Sequence, residues 1–169
     1  MILENDMNEA AQEVYRTMAA LAKGKNLEFR IEKDEDVPRA SFDKDKIIQV
    51  LMNLVNNAIK FTDKGSVLIK TTSEKDAIHV SVSDTGPGIR DEDKEKVFQE
   101  FTELSTGSKR KTGGTGLGLA ISKLIIKDHS GALWFDSRYG KGSTFTFSIP
   151  MAGRERGVYG DGVSASSSP

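Results

Sequence analysis

At Gly65 the apolar pattern of this chain changes period. Before it, between Asp43 and Thr62, Ile47, Leu51, Leu54, Val55 and Ala58 recur along one helical face. After it, Val67 to Thr71 and Ile78 to Ser83 alternate with period two around the polar turn Ser73-Glu74-Lys75-Asp76. A period of about 3.6 buries one stripe of a helix, and a period of two buries one face of a sheet. The middle of the chain is therefore a long helix running into a hairpin, with Asp43 placed to cap its start and Gly65 just beyond its end.

The flanks use the same two periods. Ala11, Val14, Tyr15, Met18 and Leu21 predict an amphipathic helix over Asn8 to Ala22, ended near Gly24. Leu27 to Ile31 alternates as a strand, and Ala40-Ser41-Phe42 is a short second one after Pro38. Leu117 to Asp128 reads as a helix, followed by Ala132 to Asp136 and Ser143 to Ile149 as a hairpin around Gly140-Lys141-Gly142. The order α-β-β-α-β-β-loop-α-β-β predicts one sheet covered by helices on a single face.

A length of 169 residues with 37% hydrophobic and 29% charged residues suits one globular domain. The net charge of −1 offers no long-range pull on nucleic acid or anionic lipid, so any phosphate bound must be met by local donors. The sequence has no cysteine, which removes disulfides, thiolate metal sites and cysteine nucleophiles and is compatible with a cytoplasmic setting. No run approaches the roughly 18 apolar residues of a membrane span, and Met1 to Asp6 lacks the basic and apolar regions of a leader. Beyond Pro150, Gly153 to Pro169 is rich in Gly and Ser and reads as a disordered tail or linker.

Four short blocks carry the chemistry, in one order. On the long helix, Asn53, Asn57 and Lys60 share an arc of roughly 60° opposite the apolar face. A solvated face would explain three polar residues. Three asparagines, Asn53, Asn56 and Asn57, are nevertheless poor helix formers, whereas an amide oxygen suits Mg²⁺ and a lysine suits phosphate. Asp84-Thr85-Gly86-Pro87-Gly88 follows a strand; an ordinary turn fits it, and so does a carboxylate accepting from the amino group of adenine. Phe98 and Phe101, three residues apart, could simply pack on the core. Between Thr102 and Thr115 Leu104 is nearly the only apolar residue, and Lys109, Arg110 and Lys111 lie beside Gly107, Gly113 and Gly114. That stretch enters a helix through Gly116-Leu117-Gly118, and a glycine-rich helix entry presents free N–H groups to an anion.

With these blocks in order, residues from about Asn8 to Pro150 resemble the catalytic ATP-binding domain of a bacterial sensor histidine kinase, of the gyrase, histidine-kinase and MutL ATPase superfamily. The resemblance implies a two-layer α/β sandwich, a mixed sheet of about five strands covered on one face by three helices, with a mobile ATP lid. It implies ATP and Mg²⁺ as cofactors, with Asn57 as the metal ligand and Asn53 and Lys60 assisting at metal and phosphate. Phe61 would line the adenine pocket, Asp84 would read the adenine amino group, and Gly86, Gly88 and Ile89 would form the first glycine box. Phe98 and Phe101 would form the phenylalanine box. Lys109, Arg110, Lys111, Gly114, Thr115, Gly116, Leu117, Gly118 and Leu119 would meet the nucleotide from the lid and second glycine box, and Thr144 would help hold adenine.

The gyrase-like ATPases of that superfamily place a water-activating glutamate where this chain has Asn53, and an asparagine cannot act as a general base. Phosphoryl transfer to a protein is thus expected over hydrolysis. Only His79 and His129 are available as acceptors, and neither is followed by an acidic residue as in a histidine-kinase acceptor box. The expected partners are a dimerisation and histidine-phosphotransfer domain of the same kinase and, indirectly, a response regulator, with no nucleic acid and no membrane contact. Residues 1–7 then read as a linker remnant, 8–150 as the catalytic domain and 151–169 as a flexible tail or linker. The isolated domain is expected to be monomeric and cytoplasmic, although the intact protein could be membrane-anchored. Two other readings stay open: a nucleotide sensor that binds without transferring, and a serine kinase of anti-sigma type.

Overall fold

The computed structural model describes residues 1–99 and 118–151. Their elements, in chain order, are β1 (Leu3–Asn5), α1 (Met7–Gly24), β2 (Glu28–Lys33), β3 (Ala40–Phe42), α2 (Lys44–Phe61), β4 (Ser66–Glu74), β5 (Ala77–Asp84), α3 (Gly118–Asp128), β6 (Ala132–Arg138) and β7 (Gly142–Pro150), with a 3₁₀ turn over Asp91–Lys96 between β5 and α3. Five strands form one sheet in the order β2-β4-β5-β7-β6. The β2–β4 pair is parallel and the other three pairs are antiparallel, so the sheet is mixed as expected.

Both long helices start at an aspartate cap, Asp43 as expected and Asp6 in addition. Asp6 accepts from the N–H groups of Asn8 and Glu9, and Asp43 accepts from that of Lys46, which satisfies donors that a helix start leaves open. The helix α2 packs between α1 and α3. Its stripe of Ile47, Leu51, Leu54, Val55 and Ala58 is buried against Val67 and Ile69 of β4, Ile78, Val80 and Val82 of β5, and Phe147 and Ile149 of β7. Each of these strands alternates, so the opposite face carries Ser81, Ser83, Thr146 and Ser148, all only partly buried.

Two longer-range ties fix α2. Lys25, just past α1, donates through Nζ to the carbonyl oxygens of Ile59 (2.7 Å) and Lys60 (3.2 Å) at the end of α2. At the other end, the Asp43 N–H donates to Nε2 of His129 (3.1 Å), whose Nδ1 lies 2.8 Å from the Ile125 carbonyl oxygen. His129 thereby bridges the end of α3 to the cap of α2 as an acceptor.

Ala40–Phe42 is a strand, as expected, but it stands apart from the main sheet and pairs antiparallel with Leu3–Asn5. That partner was not legible because its first two residues are exposed and too few alternate to set a period. The central hairpin turns at Lys75 and Asp76, tighter than the four-residue turn expected, with Lys75 at φ +52°. Its strands consequently run one to three residues further, and Asp84 becomes the last residue of β5, opposite Ser143 of β7.

Candidate nucleotide site

A cleft opens where α2, the end of β5, the start of β7 and the beginning of α3 converge. Leu54, Ala58 and Phe61 of α2, Val82 of β5, Ile89 of the following loop, Leu119 of α3 and Phe145 of β7 give it apolar walls, and Asn57, Asp84 and Ser143 are its polar members. It encloses about 540 Å³ including its open mouth. A flat, largely apolar slot with a few convergent polar groups is the kind of site that takes a small aromatic ligand.

Asp84 is the polar floor of this slot. Its Oδ1 accepts from the Gly86 N–H at 2.9 Å, and the Ser143 N–H also donates to the carboxylate. Burial holds its pKa above the ordinary carboxylate value, and the two N–H donors partly oppose that rise. The loop that follows is clamped to the β6–β7 turn: the Gly140 N–H donates to the Pro87 carbonyl oxygen (2.6 Å) and the Ile89 N–H to Ser137 Oγ (2.8 Å). Two glycines make this approach possible. Gly88 has φ +75° and a side chain there would strike the Arg138 carbonyl, while Gly142 has φ +132° and would strike the Asp84 carbonyl.

Ser143 and not Thr144 faces the cleft. Side chains alternate along β7, so the inward set is Ser143, Phe145, Phe147 and Ile149. Thr144 turns to the other face of the sheet, where its Oγ1 lies 2.9 Å from Ser83 Oγ. The structure thus places Ser143, in the position expected for Thr144, at the cleft. The signal was present: stepping back by two from Phe145 gives Ser143.

The remaining candidates fall in three groups. Asn57, Phe61, Asp84, Gly88, Ile89 and Leu119 line the cleft, and Gly86 backs Asp84. Asn53 sits at the α2–α3 contact, donating through Nδ2 to Ser122 Oγ at 3.0 Å and standing in the space that a side chain on Gly118 would occupy. Lys60 Nζ lies 5.3 Å from the Phe61 ring centroid, beside the cleft. Phe98 is one ring back from the cleft: it meets Phe135 and Phe145 edge-on, with the Lys123 ammonium 4.3 Å from its centroid. Its expected contact with nucleotide is thus replaced by support of the Phe145 wall. Phe101, Lys109, Arg110, Lys111, Gly114, Thr115, Gly116 and Leu117 lie outside the described residues. Ser143, at the cleft, and Ser122, at the α2–α3 contact, are polar residues that the candidate set did not include.

Among the described residues no group of three His, Cys, Asp or Glu side chains could hold a metal ion. A metal here would meet neutral amide oxygens, Asn57 first, and take its other ligands from phosphates and water. Mg²⁺ is bound in that way more readily than ions that need a protein cage.

An apolar slot with a partly buried, backbone-held aspartate at its floor and an asparagine helix along its side has the character of a nucleotide-binding domain. Residues 42–153 match the family of histidine kinase-, DNA gyrase B- and HSP90-like ATPases, and the chain belongs to that family. The adaptive-response sensory kinase SasA of Synechococcus sp. is 37% identical over 153 residues, which cover 88% of this chain and 40% of that protein. The nucleotide-free catalytic domain of histidine kinase ThkA superposes with a TM-score of 0.78 at 37% identity, covering 90% of this chain and 99% of that domain. Full-length ShkA in complex with AMPPNP gives a TM-score of 0.80 at 29% identity over 89% of this chain and 31% of that protein. The chain thus spans about two fifths of the SasA sequence, and it has the fold of a histidine-kinase catalytic domain.

Proposed function

We propose that this chain binds ATP with Mg²⁺ and donates the γ-phosphoryl group to a histidine on a separate dimerisation and phosphotransfer domain, with a response regulator as the eventual recipient. The observation that carries the reading is Asp84, a partly buried carboxylate at the floor of an apolar slot, held by the Gly86 and Ser143 N–H groups. It can accept from the amino group of adenine, and the carbonyl of guanine at the same place would leave it unpaired. The AMPPNP complex of ShkA, a structural relative, supports the same ligand class.

Transfer to another domain is supported by both histidines of the chain. His129 uses Nε2 to accept from Asp43 and Nδ1 towards Ile125, so neither ring nitrogen is available as a nucleophile. His79 is packed edge-on to Trp134 on the sheet face away from the helices and the cleft. Asn53 occupies the place where a hydrolytic base would stand and has no proton-accepting capacity for that role. In this reading residues 8–150 are the catalytic unit, 151–169 a linker, and the unit works as a monomer in the cytoplasm. No helix among the described residues is long and apolar enough to cross a membrane.

The test mixes the chain with ATP and Mg²⁺, with and without a phosphotransfer hairpin supplied in trans. Acid-labile label is expected on the hairpin alone. Label on this chain by itself overturns transfer to a separate domain, and tight ATP binding with no transfer to any hairpin offered leaves a nucleotide sensor.

A further inference from the structure

The inward positions of β6 are Leu133, Phe135 and Ser137, two apolar residues followed by a hydroxyl. Ser137 does not line the cleft, yet groups that do converge on its Oγ. The Ile89 N–H donates to it at 2.8 Å, and Ser143 Oγ lies 2.8 Å away at the position directly opposite on β7. Ile89 is a wall of the cleft and Ser143 is one of its polar members. The Gly142 carbonyl oxygen, 3.2 Å off, is the third neighbour of the same hydroxyl. A hydroxyl can accept twice and donate once, so one oxygen can serve all three. The backbone of Ser137 takes a second hold on the loop side, because its carbonyl oxygen accepts from Lys94 Nζ at 2.9 Å in the 3₁₀ turn that follows Ile89.

The geometry points to Ser137 as a positioning residue for the base of the nucleotide: its hydroxyl sets Ile89 of the loop after β5 and Ser143 of β7 relative to each other, from behind the cleft. Removing that hydroxyl takes the acceptor from the Ile89 N–H and the side-chain partner from Ser143 in one step. Both consequences fall on the apolar slot and neither falls on Asn57 or Lys60. The effect therefore belongs to the part of the ligand that fills the slot. The role rests on the ATP reading above, and it extends that site from the residues that line the cleft to one that holds two of them in place.

Ser137→Ala removes the hydroxyl, and Ser137→Thr keeps it on a residue suited to a strand. Binding of adenosine and of Mg²⁺-ATP is measured by calorimetry for the parent and both variants, with hydrogen exchange at the Ile89 amide and thermal unfolding alongside. In Ser137→Ala both ligands are expected to lose affinity by the same factor, about fivefold, because the adenine ring is the part they share. Exchange at the Ile89 amide is expected to rise more than at Ile69 in the middle of β4, which separates a local release from a general loss of stability. In Ser137→Thr both affinities are expected within about twofold of the parent. Three results overturn the inference: unchanged adenosine affinity in Ser137→Ala, a loss confined to Mg²⁺-ATP, or an equal loss in Ser137→Thr. A parent that binds neither ligand overturns the ATP reading itself and this role with it, so the two failures are distinguishable.

Discussion

The two ends of the cleft are built from different materials. At the floor the chain uses backbone: N–H groups of Gly86 and Ser143 hold Asp84, and Gly88 and Gly142 let strand ends and turn approach within a side chain's width. Along the α2–α3 side it uses side chains: Asn57 on the wall, and Asn53 clasped by Ser122 over Gly118. A floor made of backbone has its geometry set by the sheet register and tolerates no added atoms. A wall made of amides is set by rotamers and can be altered one hydrogen bond at a time. Changes at the floor should therefore cost folding and recognition together, and changes on the wall should cost binding with little loss of stability.

The largest effect that would break this contrast comes from Gly142→Ala. With φ at +132° and the Asp84 carbonyl in the way, it is expected to destabilise the fold by about 3 kcal/mol, read from the urea midpoint. A midpoint unchanged from the parent would show that the floor yields. Next is Asp84→Asn, which keeps shape but replaces one acceptor by a donor. ATP affinity should drop about 100-fold and the preference over GTP should vanish in a competition assay. Asn57→Ala should follow, with a loss of roughly 10- to 100-fold in Mg²⁺-dependent ATP affinity, an unchanged unfolding temperature and little change for adenosine.

Acid sharpens the comparison because only the floor contains a perturbed carboxyl group. Burial raises the Asp84 pKa, so the folded chain takes up this proton more readily than the unfolded chain does. The neutral form therefore adds stability that is present below the ordinary value of 3.8 and is lost as pH rises through the elevated folded value. Adenosine needs the acceptor form, so its affinity should decline as pH falls through that same elevated value. Asp84→Asn should abolish the decline, and a decline that persists in it would assign the proton to another group. The smallest effect is expected from Thr144→Val, which faces away from the cleft and should change ATP affinity by less than about twofold.

Much of this was legible in the sequence because the two apolar periods are clean. The α2 stripe and the alternation of β4 and β5 are the core of the molecule, and Asp43 marks its helix through side-chain chemistry rather than tertiary context. What escaped was set by pairing across distance. Leu3–Asn5 is a strand only because Ala40–Phe42 lies beside it. Ser143 and Thr144 both fit a motif, and only the register with β5 decides which one meets Asp84. Phe98 was placed at the nucleotide from its motif, whereas two further aromatic rings, Phe135 and Phe145, draw it into the wall. Ser122 was invisible because nothing in a single helix says that its hydroxyl will face an asparagine on another.

The lysine after α1 has an electrostatic consequence for the nucleotide end. The carbonyl end of a helix carries partial negative charge and draws a cation, and Lys60 in the last turn of α2 would be the ordinary choice. Lys25 already donates to the Ile59 and Lys60 carbonyls, so α2 borrows its counter-charge from the neighbouring helix. The two lysines divide what one residue would otherwise do alone: Lys25 answers the field of the helix, and Lys60 can answer an incoming polyphosphate without loosening the helix that carries it.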